Sequence, residues 1–195
     1  MALNTDITDR WHSSDILLLG GSAGSFKLLF KIVKLLDADL NKSVIIVMHR
    51  KRNFASEVDK LFGQNSRMQV KEISDKDKVV KKTIYIAPAN YHVLIEKDGS
   101  FALDVSEAVW FSKPSIDITF ESMAEVYQNK CTAILLSGAN QDGAAGLLKL
   151  RHAGSLTIAQ NPQDAELPEM PQKAIDNNAV DYILRTTEIL ELIKS

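Results

Sequence analysis

Short blocks of consecutive apolar residues alternate along this chain with longer segments whose apolar residues recur every three or four positions. Ile16–Leu19, Val44–Met48, Thr83–Ala87, Thr132–Leu136 and Thr157–Ala159 are blocks of the first kind, rich in β-branched residues, and they predict strands buried on both faces. Segments of the second kind predict helices. After Gly24, Phe26, Leu29, Phe30, Val33 and Leu36 share one helical face, and a further helix is expected from Ala55 to Phe62, stopped by Gly63. Pro114 is expected to open a helix to Gln128, with Ile116, Phe120 and Met123 at helical spacing. Others are expected up to His152, around Pro171–Asn177 and at Thr187–Lys194, with a strand at Tyr182–Leu184. This alternation is the pattern of an α/β fold: a doubly wound, mainly parallel sheet with helices on both faces. Tyr91–Glu96 and Phe101–Val105, joined by a turn at Lys97-Asp98-Gly99, predict an added antiparallel β-hairpin.

Length and composition narrow the class of protein without naming an activity. The 195 residues suit one domain, expected at 15–195, behind a loose N-terminal extension at 1–14. The net charge of −2 argues against a general nucleic-acid binder, and the Lys-rich stretch from Lys76 to Lys82, interrupted by Asp77, reads as a solvated loop. No apolar run approaches the ~18 residues that a membrane span needs, and the acidic start resembles no secretory signal. Cys131 is the only cysteine, so no intrachain disulfide forms, which suits the cytoplasm. Nothing in the spacing of His, Cys, Asp and Glu points to a metal site, and no cofactor is expected.

In an open parallel sheet, ligands bind beyond the carboxyl ends of the strands, so the loops that follow strands are the first place to look for chemistry. Gly20-Gly21-Ser22-Ala23-Gly24 matches G-x-S-x-G between a strand and a helix. Small neighbours let the chain turn sharply and expose the Ser22 hydroxyl, and the helix N-terminus supplies donors for an oxyanion. Two other readings stand beside it: an N-capping serine in a glycine turn, and a phosphate-binding turn, although the glycines do not fit G-x-G-x-x-G. His49 directly follows the second strand, which is expected to adjoin the Ser22 strand, and its imidazole is a suitable base for a serine hydroxyl. Asp142, between Gly138 and Gly143 past another strand, is able to orient that imidazole or to cap the following helix. His12, His92 and His152 sit in poorer places, respectively a loose terminus, a hairpin and a helix end.

From about Ile16 to Ile193 the chain resembles the catalytic domain of the chemotaxis protein-glutamate methylesterases, the CheB family. The marks are the turn Gly20–Gly24, His49, Tyr85-Ile86-Ala87-Pro88 with His92, Pro114-Ser115-Ile116-Asp117 and Asp142-Gly143-Ala144-Ala145-Gly146. Thr157-Ile158-Ala159-Gln160, Met170-Pro171 and Ala179-Val180-Asp181 follow in order. The resemblance implies a triad of Ser22, His49 and Asp142, an oxyanion hole from the backbone N–H groups of Ala23 and Ala139, and substrate contacts from Arg50 and Met170. It implies hydrolysis of glutamate γ-methyl esters on the cytoplasmic helices of methylated chemoreceptors, with glutamine deamidation as a related activity. Ala23 and Ala139 stand where the family usually has threonine and methionine, Asn140 and Ser25 where it has glycine, and Arg50-Lys51 where it has Met-Pro. A roomier pocket is expected near Ala139, and a left-handed backbone at Asn140. The altered walls leave a second expectation open, a receptor-binding module of the same fold with little or no activity. Relatives commonly carry an N-terminal receiver domain, for which the 15 residues before the first strand leave no room. Control by a separate receiver protein is one expectation; constitutive activity and excision from a longer chain are the others.

Overall fold

A computed structural model describes residues 3–49 and 57–195. In chain order its elements are α1 (Thr5–Ser13), β1 (Ile16–Gly21), α2 (Phe26–Leu35), β2 (Ser43–Met48), α3 (Val58–Asn65), β3 (Gln69–Glu72), β4 (Thr83–Ile86), β5 (His92–Ile95) and β6 (Phe101–Asp104). Then come α4 (Ile116–Tyr127), β7 (Cys131–Leu135), α5 (Ala144–His152), β8 (Leu156–Gln160), α6 (Glu169–Asp176), β9 (Tyr182–Leu184) and α7 (Thr186–Lys194). β1 has no polar side chain to turn toward water, and it takes the middle of a seven-stranded sheet of order β3-β4-β2-β1-β7-β8-β9. Every pairing in that sheet is parallel. β5 and β6 form a separate antiparallel hairpin, as expected.

Successive side chains of a strand point to opposite faces, so each central strand feeds two cores. On one face Leu17, Leu19, Val44 and Ile46 pack with Trp11, Leu29, Ile32, Phe62, Ile189 and Leu192, from α1, α2, α3 and α7. On the other, Leu18, Ile45, Val47 and Leu135 pack with Phe120, Met123, Leu147, Leu150 and Phe101, from α4, α5 and the hairpin. From β1 the chain passes to β2, goes out to the edge strand β3, comes back to insert β4 between β3 and β2, and then crosses the sheet to lay β7 on the other edge of β1. That reversal opens a crevice beyond the carboxyl ends of β1 and β7.

Several expectations need correction. The N-terminal stretch is not loose: Ile7 and Trp11 of α1 are buried. Arg10 reaches Asp181 at 3.0 Å, and Lys42 donates to the carbonyls of Trp11 and Ser14 while its ammonium lies 4.5 Å over the Trp11 ring. Gly63 does not stop α3, which runs on to Asn65; Phe62 is buried against Phe26 and Phe30, and that packing outweighs the glycine's poor helix propensity. The expected start at Ala55 lies outside the described residues. Leu28 and Ile32 carry the buried face of α2 together with Leu29 and Val33, while Phe26 sits at its rim. Pro114 precedes α4 rather than opening it, because Ser115 takes the cap and its hydroxyl oxygen accepts from the Ile118 N–H. β3 has no counterpart in the apolar pattern, since Val70 is its only apolar residue; it is an edge strand with exposed ends. Among the described residues, no helix is long and apolar enough to cross a membrane.

If α1 is part of the fold, Trp11→Ala lowers the free energy of unfolding by about 3–5 kcal/mol in urea titrations. A loss under about 1 kcal/mol would mean that the helix rests on the domain without supporting it.

Candidate active site

The turn after β1 is closed by its own residues. The N–H and hydroxyl of Ser25 both donate to the Ser22 carbonyl, at 3.1 and 2.7 Å, and the Ser22 N–H donates to Ser137 O, two residues past β7, at 2.9 Å. Gly24 has φ 82°, and a Cβ there would stand 2.6 Å from Ser137 Oγ, so only glycine fits. The result presents the Ser22 side chain at the crevice, one turn before α2.

β2 pairs directly with β1, and the His49 N–H donates to Gly21 O at 3.2 Å, so the imidazole rises beside the serine. His49 Nδ1 lies 3.0 Å from Ser22 Oγ, and Nε2 lies 2.7 Å from Asp142 Oδ2. Asp142 is fully buried. Its Oδ1 accepts from the Ser115 hydroxyl (2.8 Å) and the Asp117 N–H (2.9 Å), while Oδ2 also accepts from the Ile116 N–H (2.7 Å). Burial alone would raise this carboxyl, but the His49 bond and the N–H groups of Asp117 and Ile116 hold it below its ordinary value. A carboxylate ringed by donors can only accept, so the proton on the imidazole sits at Nε2 and the Nδ1 lone pair faces Ser22. This presentation through Nδ1 is the reverse of the ring in chymotrypsin-like proteases.

Asp142 therefore caps α4, not the helix that follows it. The favour is returned: Asp117 Oδ1 accepts from the N–H groups of Gly143 and Gly146 at the start of α5, at 2.9 and 2.8 Å. Burial pushes the Asp117 carboxyl up to about 6, with the neighbouring Asp142 charge adding to it. Behind them, fully buried His92 accepts from the Ser115 N–H at Nδ1 (3.1 Å) and donates to Glu107 O from Nε2 (2.9 Å). Both ring nitrogens are thus committed to support. Sequence reasoning left Asp117, Ser115 and His92 without a role; the one signal was their presence in the family motifs. Ser112, 3.1 Å from His49 Nδ1, gave no signal at all.

Ser22, Ala23, His49, Phe111, Ser112 and Ala139 are among the residues lining a cleft of about 580 Å³, a volume in the range of small-molecule sites. Among the described residues, neither the Ala23 nor the Ala139 N–H has a hydrogen-bond partner. Met170 does not line the cleft. It is buried beneath the loop, where a Cβ on Gly138 would stand 2.4 Å from its Cε, and its N–H donates to Gly138 O. Asn140 is not left-handed; Gly143 takes that role with φ 95°, and Asn140 instead accepts from the Asp142 N–H and donates to Trp110 O. Arg50 lies outside the described residues.

Residues 17–193 match the model of the CheB methylesterase family. The chain belongs to the CheB methylesterase family. A Leptospira interrogans protein, provisionally named protein-glutamate methylesterase/protein-glutamine glutaminase, is 37% identical over 178 residues, which span 91% of this chain and 92% of that one. A Methanococcoides burtonii protein of the same name is 35% identical over 96% of this chain but only 55% of its own length. The crystal structure of the Thermotoga maritima CheB methylesterase catalytic domain superposes with a TM-score of 0.86 at 29% identity, covering 93% of this chain and 98% of that one. The sheet and hairpin described above are thus the CheB catalytic fold.

The raised Asp117 carboxyl gives this CheB site a pH signature. In the unfolded chain the group ionises near 3.8 and in the folded protein near about 6. Between those values the folded state keeps a proton that the unfolded state has released, so stability falls as pH rises through the window. Asp117→Asn retains an oxygen acceptor for Gly143 and Gly146 and cannot ionise. Urea unfolding from pH 4 to 7 is expected to show the wild type losing stability relative to this variant; a pH-independent difference would refute the assignment.

Proposed function

We propose that this chain hydrolyses glutamate γ-methyl esters on helical cytoplasmic segments of chemoreceptors, using Ser22 as nucleophile, His49 as base and Asp142 as orienting acid. The observation that carries this reading is the hydrogen-bond chain from Ser22 through His49 to a buried, donor-ringed Asp142 at the floor of an open cleft. The names of the relatives support the reaction type. In the first half-reaction the Ser22 proton passes to His49 Nδ1 as Oγ bonds to the ester carbonyl carbon. Among the described residues the N–H groups of Ala23 and Ala139 have no partner, and they would take the oxyanion. Asp142 stabilises the imidazolium, which then protonates the departing methoxide, leaving an acyl-Ser22 ester and methanol.

A glutamine side chain offers the same γ-carbonyl with ammonia as leaving group, so deamidation is the companion activity of the same groups. The reading places the chain in the cytoplasm, beside the receptor segments it demethylates. It also assigns Arg50 to the acidic receptor surface and leaves control to a separate receiver protein.

The test is methanol release from a helical peptide carrying a glutamate γ-methyl ester. Wild type is expected to release methanol, and Ser22→Ala to lose about a thousandfold or more of the rate. Asp142→Asn, which turns an acceptor toward Nε2 into an amide, should cost a similar factor by favouring the wrong tautomer. Binding of the peptide with no methanol from wild type would instead make the chain a binding module of the same fold.

A further inference from the structure

The His49 lone pair faces two hydroxyls. Ser22 Oγ lies 3.0 Å from Nδ1, and Ser112 Oγ lies 3.1 Å from the same atom while lining the same cleft. An acceptor with one lone pair takes one strong donor at a time, so a second hydroxyl this close needs a reason.

The loop that carries Ser112 is held in a costly shape. Trp110 and Phe111 are both left-handed, with φ 49° and 59°, a conformation that costs bulky residues roughly 1–2 kcal/mol each. Val109 and Ser112 exchange two backbone hydrogen bonds across the turn, at 3.2 and 2.9 Å. Asn140 Nδ2 donates to Trp110 O at 3.2 Å, and Lys113 Nζ donates to Val105 O at 2.7 Å. Nothing in the packing of the core calls for this turn: Phe111 is fully exposed and Trp110 nearly half exposed. Backbone strain that buys no burial but delivers a hydroxyl to a general base points to chemistry.

Ser112 is poorly placed to be the nucleophile itself. The first N–H groups of the helix that follows it, at Ile116 and Asp117, are already taken by the Asp142 carboxylate, so none is left there for an oxyanion. The second half-reaction gives it work. Once Ser22 is acylated its oxygen carries no proton, and Nδ1 has lost that donor. Ser112 then remains as the hydroxyl beside the base.

Resting on the esterase reading above, we propose that Ser112 is a positioning residue for deacylation, holding the hydrolytic water against His49 Nδ1. The Ser112 hydroxyl hydrogen turns to Trp110 O, which lies 3.4 Å away, and its oxygen accepts one hydrogen of the water. The other hydrogen points to Nδ1. The water oxygen bonds to the acyl carbon as its proton passes to Nδ1, giving a tetrahedral intermediate. That intermediate collapses by breaking the bond to Ser22 Oγ, which recovers the proton from Nδ1, and the glutamate carboxyl is released.

The experiment follows wild type, Ser112→Ala and Ser112→Thr on the γ-methyl ester peptide, by rapid-quench methanol release and mass spectrometry of acid-quenched protein. A defect confined to deacylation lowers kcat and KM together and leaves their ratio near wild type. Ser112→Ala is expected to show this, with kcat falling roughly tenfold, a methanol burst and a trapped acyl-Ser22 adduct. Ser112→Thr, which keeps the hydroxyl, should restore kcat. A Ser112→Ala protein with unchanged kcat and no adduct overturns the proposal. So does one in which kcat/KM falls as far as kcat, because that defect lies in acylation or in folding. Failure of the esterase reading has a separate signature: wild type itself releases no methanol, and both ideas fall together.

Discussion

The structure of this site depends on an exchange of carboxylates between two helix N-termini. The first N–H groups of any helix lack partners within it, and burying them unpaired is costly. Here Asp142, two positions before α5, supplies the acceptor for α4, and Asp117 within α4 supplies the acceptor for α5. Each carboxylate sits where a helix dipole favours negative charge. The two acids are close enough to repel, and they settle the conflict unequally. Asp142 has four donors around it, one of them His49, and stays ionised; Asp117 has two backbone donors, and its carboxyl rises. Orientation of the imidazole is therefore a by-product of helix packing, and the acid that performs it cannot swing away without uncapping α4.

The sheet brings the parts together by the same logic. β1 ends in the serine turn, its neighbour β2 ends at His49, and its other neighbour β7 runs into the loop of Asp142. No side chain has to reach far, since three adjacent parallel strands deliver their next residues to the same end of the sheet. The hairpin, which looks like an interruption of the α/β pattern, adds a further layer: His92 holds the Ser115 N–H, and the Ser115 hydroxyl holds Asp142.

Much of this was legible in the residues. The central strands are uniformly apolar because both faces are buried, and G-x-S-x-G, His49 and Asp142 each follow one of them. What escaped was whatever the pattern of apolar residues does not encode. β3 is polar because it is an edge. The start of the chain reads as loose because α1 is short and shows only two buried side chains, Ile7 and Trp11. Met170 looks like a binding residue in the family motif but serves as packing under Gly138. The second acceptor of the carboxylate exchange and the second hydroxyl on His49 depend on contacts between residues 25 to 63 positions apart, which no local spacing reveals.

The central position of β1 also shapes how the molecule must come into being. As the chain emerges from a ribosome, β1 finds β2 almost at once, but its other edge stays open until β7 has been made, more than eighty residues later. At typical synthesis rates of ~5–20 residues per second, that is an interval of several seconds. Throughout it, an apolar strand with unpaired backbone groups stands exposed at the edge of a half-built sheet. The late strand that completes the candidate site is also the one that seals the nascent protein against sticking to its neighbours.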